Sequence, residues 1–263
     1  MKLVEEKLEG GNISSVAKIG KTVRRNQNKY SNSIHELLKY LEKSNYHFSP
    51  RYLGTDEKNR EILTYIEGEV GNDPVKNYIR STDMITMIAK EMRQFHDQTK
   101  EFYKSTNLTW QINYPNTNEN EVICHNDFAP YNTVFRNEEP VGLIDFDMCG
   151  PGPINWDIAY SLFTYIPLSS YWEDENGKTI RYNRNEHMKD RKEKIQVFFE
   201  SYGIEMTKKI MDMVIFRIEY LKDFIIQKVQ INDPSFIKMK NEGHIDHYSK
   251  EIEFIRNEGQ YWI

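Results

Sequence analysis

The sequence predicts an α+β protein in which a short strand-rich part precedes a longer, mostly helical part. Strand and turn signals dominate residues 1–67, whereas helical periodicity dominates most of residues 68–263. The charge also changes sign, because the first part holds 12 Lys and Arg against 9 Asp and Glu, and the second holds 23 against 31. These net charges of +3 and −8 lead us to expect that the two parts prefer different ligands.

Short strands and turns around one helix are predicted in the first part. The turn signal Gly20-Lys21 separates two predicted strands, residues 16–19 and 22–25. Another strand is predicted over residues 61–66. The helix is predicted over about residues 33–43, where four apolar residues recur at helical spacing: Ile34, Leu37, Leu38 and Leu41.

The second part is predicted to begin with a helix that starts at Ser81-Thr82-Asp83 and runs through His96, because these first residues can cap a helix. Its apolar face consists of Ile85, Ile88, Ala89, Met92 and Phe95. Three later helices are predicted, at about residues 192–201, 206–229 and 241–255. A loop-rich stretch over residues 121–153 concentrates the polar residues best suited to chemistry.

Composition excludes several classes of function. No apolar run approaches the roughly 18 residues that a membrane span needs, and acidic residues near the N-terminus argue against a signal peptide, so we expect no membrane partner and a cytoplasmic protein. The net charge of −5 disfavours a nucleic-acid partner. The two cysteines, Cys124 and Cys149, are interpreted as reduced packing residues. The sequence does not indicate an oligomeric state.

The polar residues of the loop-rich stretch suit phosphoryl transfer. A short apolar strand delivers His125 and Asp127 into a loop, Asn132 follows, and a hairpin then returns Asp145. The reaction needs a carboxylate beside the attacking hydroxyl and oxygen ligands for Mg²⁺. We therefore predict that Asp127 accepts the hydroxyl proton and that Asn132 and Asp145, on adjacent hairpin strands, bind the metal.

These motifs also carry a resemblance. His125-x-Asp127-x4-Asn132 followed by Ile144-Asp145-Phe146, with Trp156-Asp157 downstream, resembles the catalytic and metal-binding motifs of the aminoglycoside phosphotransferase family, small-molecule kinases of the protein-kinase-like superfamily. The resemblance implies a bilobal protein-kinase-like fold. Residues 1–67 would form the nucleotide-binding N-lobe and residues 68–263 the catalytic, acceptor-binding C-lobe, with ATP or GTP and Mg²⁺ in the cleft between them.

The same resemblance assigns nucleotide contacts in the first part. Residues 10–15, with Gly11, Ser14 and Ser15, would form the turn over the phosphates. The strand segment from Thr64 to Ile66 would meet the adenine through its backbone.

The cation on the phosphates is predicted to be Arg24, which shares one strand face with Thr22 in the Ala-x-Lys relation of kinases. Arg25, which should face the other way, and Lys18 remain alternatives. The acid that pairs with this cation is expected on the following helix. Glu36 is available there, although His35 lies near the expected position.

Supporting roles are assigned to three further residues near the predicted catalytic set. His125 is interpreted as a structural residue of the loop, and Asp157 as a helix cap or loop anchor. Asp147 is either an acid that supports the metal site or a solvated surface residue.

The acceptor is expected to be a small molecule, either an aminoglycoside-like antibiotic or an amino-alcohol or sugar metabolite. The acidic second part, including Glu173-Asp174-Glu175, would suit a polycationic acceptor. The alternative is a non-catalytic nucleotide-binding or immunity protein of the same fold. A third reading is a phosphatase with Asp145-x-Asp147 as nucleophile motif, but it leaves His125, Asp127 and Asn132 unexplained.

Overall fold

The computed structural model describes residues 5–8 and 16–263. The chain forms two compact units, neither of which is one continuous segment. Unit 1 comprises Met1–Val70, Gln94–Asp127 and Asn132–Pro153, and unit 2 comprises Gly71–Arg93, Phe128–Tyr131 and Ile154–Ile263. Unit 1 therefore includes Asp127, Asn132 and Asp145 as well as the N-terminal part. The predicted lobe boundary after residue 67 stays a prediction.

A five-stranded antiparallel sheet organises the N-terminal part of unit 1. Its strands are β1 Glu5–Leu8, β2 Val16–Ile19, β3 Thr22–Asn26, β4 Tyr52–Thr55 and β5 Arg60–Thr64. The spatial order is β1-β2-β3-β5-β4, so that β3 and β5 are neighbours. The strands predicted at residues 16–19, 22–25 and 61–66 are confirmed, although the last one ends at Thr64.

Two predicted helices follow their apolar patterns. Helix α1 spans Ser31–Lys43, and its four spaced apolar residues are buried, so the prediction is confirmed with an earlier start. Helix α2 spans Thr82–Ser105, well past the predicted end at His96. Its start is as predicted, because the Oγ of Ser81 accepts a hydrogen bond from the N–H of Met84 at 3.1 Å.

Short strands carry the loop-rich stretch of unit 1. They are β6 Glu69–Val70, β7 Val122–Cys124, β8 Thr133–Arg136, β9 Glu139–Leu143 and β10 Gly150–Gly152. Strand β8 pairs with β6 and β9, and β7 pairs with β10. The β8–β9 loop has two residues, Asn137 and Glu138, with φ of 54° and 63°, as a tight hairpin turn requires.

Unit 2 contains most of the helices. They are α3 Ile154–Tyr165, α4 Arg184–Tyr202, α5 Ile210–Gln230, α6 Pro234–Asn241 and α7 His244–Glu258, with a hairpin of β11 Tyr171–Glu173 and β12 Thr179–Arg181. The three helices predicted here correspond to α4, α5 and α7. Helix α4 starts much earlier than predicted, because the side chain of Asn183 accepts from the N–H of Asn185 and caps it.

Two smaller sequence predictions can also be compared with the structure. Cys124 and Cys149 are buried and are not joined in a disulfide, which confirms their interpretation as reduced packing residues. Among the described residues, no helix combines the length and the apolar character needed to cross a membrane.

Candidate active site

Asp127 and Asn132 are held together by a direct hydrogen bond. The Nδ2 of Asn132 donates to a carboxylate oxygen of Asp127 at 2.7 Å and to its backbone oxygen at 3.0 Å. Both oxygens only accept, so the amide nitrogen of Asn132 faces Asp127. The Oδ1 of Asn132 is therefore the atom that can bind a metal, while Nδ2 orients the proposed base.

The β8–β9 hairpin brings Asn132 next to Asp145. Asn132 immediately precedes β8, and its backbone oxygen accepts from the N–H of Ile144 at 2.8 Å. Asp145 follows with φ of 61° and ψ of 69°, a left-handed conformation that is uncommon for a residue other than glycine. Such strain concentrates at functional sites. Its side chain is 38% exposed, so the carboxylate is accessible to a ligand.

Asn126 is a residue of the site loop to which the sequence analysis assigned no role. It has φ of 65°, and its Nδ2 donates to the backbone oxygen of Met148 at 2.9 Å. The bond joins the loop that carries Asp127 to the turn that follows Asp145. Asparagine tolerates the left-handed region better than most residues, so its position directly before the predicted base was the available signal.

His125 lies in the core of unit 1. It is fully buried, and its ring meets the ring of Phe146 edge to face, with 4.8 Å between centroids. Phe146 directly follows Asp145 in the chain. This placement connects the start of one loop to the start of the other, and the structural role assigned to His125 stays a prediction.

Arg25 contacts three carboxylates with three different nitrogens. Its Nε donates to Glu61 at 2.7 Å, Nη1 donates to Asp145 at 3.0 Å, and Nη2 donates to Asp147 at 2.5 Å. Burial disfavours the charge of Arg25, but Asp147, Asp145 and Glu61 outweigh it and raise the pKa of Arg25 above its ordinary value. Arg25 is therefore a permanent cation at the predicted metal-binding acids.

Glu61 is the buried acid partner of Arg25. It lies directly opposite Arg25 in the β3–β5 register, and its second carboxylate oxygen lies 2.7 Å from the Nε2 of His35 on α1. Burial would raise the pKa of Glu61, but the hydrogen bond with His35 and the charge of Arg25 lower it instead. Glu61 is thus ionised in the ordinary pH range.

The prediction that Arg24 rather than Arg25 faces the site is corrected. Arg24 does share a face with Thr22, whose Oγ1 accepts from Arg24 at 2.7 Å, but this face is not the one that reaches Asp145. Successive strand residues point to opposite faces, so the choice between the two arginines depends on which face carries Glu61. The third candidate, Lys18, lies over the ring of Tyr65 at 4.0 Å.

The expected helix acid is also corrected. Glu36 is exposed and pairs with Lys39 at 2.8 Å, whereas its neighbour His35 is buried against Glu61. The partner of the strand cation therefore comes from β5 and not from the helix.

Asp147 lies beside Asp145 in the site and is not a solvated surface acid. Burial raises the pKa of Asp147 to about 6, against the charge of Arg25 and with a contribution from Asp145. Asp157 is fully buried within the first turn of α3, which begins at Ile154, so it does not precede the helix as an N-cap. The alternative role as a loop anchor stays a prediction.

The nucleotide contacts assigned by resemblance are only partly described. Gly11, Ser14 and Ser15 lie outside the described residues. Thr64 ends β5, and its N–H donates to the backbone oxygen of Arg51 at 3.0 Å. The side chain of Ile66 packs against Gly142 of β9, in the space that a larger side chain at position 142 would need. This segment therefore packs on the β8–β9 hairpin. The adenine contact at Thr64 to Ile66 stays a prediction.

The donor atoms of the site fit a magnesium ion. Mg²⁺ prefers oxygen ligands, and the site offers the carboxylates of Asp145 and Asp147 and the amide oxygen of Asn132. Three acids, with Glu61 included, surround the single positive charge of Arg25. A divalent cation would balance the surplus of negative charge.

The acidic loop of unit 2 is the turn of the β11–β12 hairpin. Asp174 accepts hydrogen bonds from the N–H groups of Asn176 and Lys178, and Glu175 accepts from the N–H of Asn77. Two of the three acids therefore stabilise the hairpin and its attachment, which is a structural use of their charge.

Comparisons with known proteins match the segment that contains this site. A profile of the phosphotransferase enzyme family matches residues 78–187, the segment that contains Asp127, Asn132, Asp145 and Asp157. The trifolitoxin immunity protein of Rhizobium leguminosarum bv. trifolii is 28% identical over 206 residues, which cover 77% of this chain and 75% of that protein.

Solved structures of similar fold cover almost the whole chain. A spectinomycin phosphotransferase, solved with ADP and spectinomycin, matches with a TM-score of 0.61 and 16% identity over 97% of this chain and 93% of that one. A choline kinase from Cryptosporidium parvum Iowa II matches with a TM-score of 0.60 and 13% identity over 98% and 91%. The predicted α+β, protein-kinase-like fold is confirmed.

Proposed function

We propose that this chain, whose residues 78–187 match the phosphotransferase enzyme family, transfers the γ-phosphoryl group of ATP or GTP to a hydroxyl of a small molecule. A small-molecule kinase is the class of enzyme that the family segment and the fold support. The observation that carries the proposal is the joining of Asp127, Asn132 and Asp145 at one hairpin. A nucleotide donor also suits the cytoplasmic location that the sequence predicts.

Asp127 acts as the base in the proposed reaction. The acceptor hydroxyl loses its proton to the Asp127 carboxylate as the hydroxyl oxygen bonds to the γ-phosphorus. The bond from that phosphorus to the β,γ-bridging oxygen breaks, and ADP or GDP is released. Asn132 holds the carboxylate in place through the 2.7 Å hydrogen bond, so the base needs little reorganisation.

Asp145, Asn132 and Asp147 would hold the magnesium ion. When bound, the ion supplies positive charge that offsets the charge of the phosphates. In the structure, Nη1 of Arg25 donates a hydrogen bond to the carboxylate of Asp145 at 3.0 Å, which places a positive charge next to the proposed metal ligands.

A screen for acceptor-dependent release of ADP or GDP tests the proposal. Aminoglycosides, choline-like amines and hydroxy amino acids are offered with Mg·ATP or Mg·GTP, and product is measured for the wild type, Asp127→Asn and Asp223→Asn. Asp223 is an exposed acid on α5 and serves as the matched control.

We expect Asp127→Asn to lose about 10²–10⁴ in kcat, or roughly 3–5 kcal/mol of barrier, because a positioned general base contributes that much. Nucleotide binding should persist in this variant. Full activity of Asp127→Asn would remove Asp127 from the mechanism. A wild type that releases no ADP or GDP with any acceptor would favour the second candidate.

That second candidate is an immunity protein that binds nucleotide without turnover. The similarity to the trifolitoxin immunity protein favours it, since that protein is named for protection and not for catalysis. Calorimetry distinguishes the two: tight Mg·ATP binding with no turnover across the screen supports the immunity role, and acceptor-dependent turnover excludes a non-catalytic one.

A further inference from the structure

Arg25 binds a buried acid through Nε and the acids of the site through its two terminal nitrogens. Its Nε is bound to Glu61, which is only 2% exposed, whereas its two terminal nitrogens reach Asp145 and Asp147 at the site. A guanidinium group is planar and rigid, so fixing Nε fixes the direction in which both terminal nitrogens point. Glu61 therefore fixes the orientation of the Arg25 guanidinium group.

Glu61 is itself fixed from a second element. One carboxylate oxygen contacts Arg25 on β3 and the other contacts His35 on α1, each at 2.7 Å. The ring of His35 stacks on Tyr52 with 3.8 Å between centroids and 17° between planes. His35, Glu61 and Arg25 are all buried, which strengthens these charge-assisted bonds.

We propose that Glu61, held in place by His35, is the positioning residue that directs Arg25 onto the phosphates of the nucleotide. Arg25 keeps its Nε on Glu61 while its terminal nitrogens exchange their Asp partners for phosphate oxygens. The proposal rests on the proposed function and assigns the nucleotide-clamping acid to a strand.

Arginine suits this arrangement. A lysine carries one ammonium nitrogen at the end of a flexible chain, so the acid and the phosphates would have to share that nitrogen. The three engaged nitrogens of Arg25 separate the two tasks, because Nε serves Glu61 and the terminal nitrogens serve the site.

Calorimetric titration with adenosine and with ADP, both in the presence of Mg²⁺, tests the proposal. The variants are Glu61→Gln, His35→Phe and His35→Gln, with Glu36→Gln as the matched control on the exposed side of α1. His35→Phe keeps a ring to stack on Tyr52 and removes the hydrogen bond, whereas His35→Gln keeps a polar partner for Glu61.

We expect Glu61→Gln to weaken ADP binding about tenfold or more and to leave adenosine binding unchanged, since the lost contact is charge-assisted and acts only on phosphate. His35→Phe should weaken ADP binding less, His35→Gln should restore it, and Glu36→Gln should match the wild type. A purely structural role would lower the affinities for adenosine and ADP together, so the split between them carries the test.

The outcomes separate this proposal from the proposed function. The wild type is also titrated with guanosine and GDP. If it binds ADP no more tightly than adenosine and GDP no more tightly than guanosine, the phosphates are not recognised and the proposed function fails. If the wild type prefers ADP but Glu61→Gln and His35→Phe keep the full preference, only the positioning role is overturned. Should Glu61→Gln fail to fold, the paired His35 variants decide the result by themselves.

Discussion

Two regions of unit 1 supply the charged groups of the site, and they are built in opposite ways. The loop-rich stretch, residues 121–153, joins residues close in sequence, since Asp127 and Asn132 are only five positions apart. The central sheet joins residues far apart, since Arg25 lies 36 positions from Glu61 and 120 from Asp145. Local spacing therefore determines the first arrangement, whereas the second depends on strand register and on the face each side chain occupies.

The sharpest test of the sheet region replaces each of its adjacent arginines. Arg25→Gln leaves the buried Glu61 without its cationic partner, so we expect a loss of about 3–5 kcal/mol in the free energy of unfolding. Arg24→Gln should cost about 1 kcal/mol or less, because Arg24 has a single long ion pair, with Asp56 at 3.8 Å, and its other hydrogen bonds go to its strand neighbours Thr22 and Val23. Urea unfolding at pH 7 measures both, and equal losses would contradict the assignment of Arg25.

The loop-rich stretch is tested at Gly150 of β10, which pairs with Cys124 at the end of β7. A Cβ added there would lie 1.8 Å from the backbone oxygen of Ile112, so the backbone would have to move. We expect Gly150→Ala to cost about 2–3 kcal/mol in the free energy of unfolding.

A glycine in open space provides the control. Gly177 has φ of 77° and nothing within 4 Å of an added Cβ, so Gly177→Ala suffers backbone strain alone. That strain is worth about 1 kcal/mol. If Gly150→Ala were as mild as Gly177→Ala in the same unfolding measurement, the close approach of Ile112 would be refuted.

A smaller effect than at Arg25 or Gly150 is expected at Asn126, whose side chain joins the loop of Asp127 to the turn after Asp145. Asn126→Ala loses the hydrogen bond to Met148 and strains a left-handed backbone, so we expect the free energy of unfolding to fall by about 2 kcal/mol in total. Asn126→Gly loses only the hydrogen bond, at about 1 kcal/mol. Thermal unfolding of the two variants separates the contributions, and a glycine variant less stable than the alanine variant would reverse our reading of this residue.

These differences explain what the sequence could predict. The apolar periodicities of α1 and α2, and the hairpin that returns Asp145 beside Asn132, arise from neighbours along the chain and were predictable. The pairing of Arg25 with Glu61 required the order of strands in the sheet, which local patterns do not contain. The choice of Arg24 followed from an analogy to the kinase spacing and not from any feature of the neighbouring strand.

Helix boundaries in unit 2 show a similar limit. Helix α6 was not predicted, although Asp233 caps it through the N–H of Ser235 and Pro234 occupies its first turn. With only eight residues it is too short for a clear apolar period, so capping chemistry was the one available signal. Tertiary packing, rather than intrinsic propensity, stabilises so short a helix.

The two-residue loop of the β8–β9 hairpin has a consequence for how this chain can change over evolutionary time. Asn137 and Glu138 form the whole loop between β8 and β9, which lie between Asn132 and Asp145 in the chain. The number of residues between Asn132 and Asp145 therefore determines how these two side chains are placed. A single insertion that shifted the strand register would move one of the predicted metal-binding side chains to the opposite face. Length variation among descendants should therefore accumulate elsewhere, for example in the turn of the β11–β12 hairpin, while this loop changes only by substitution.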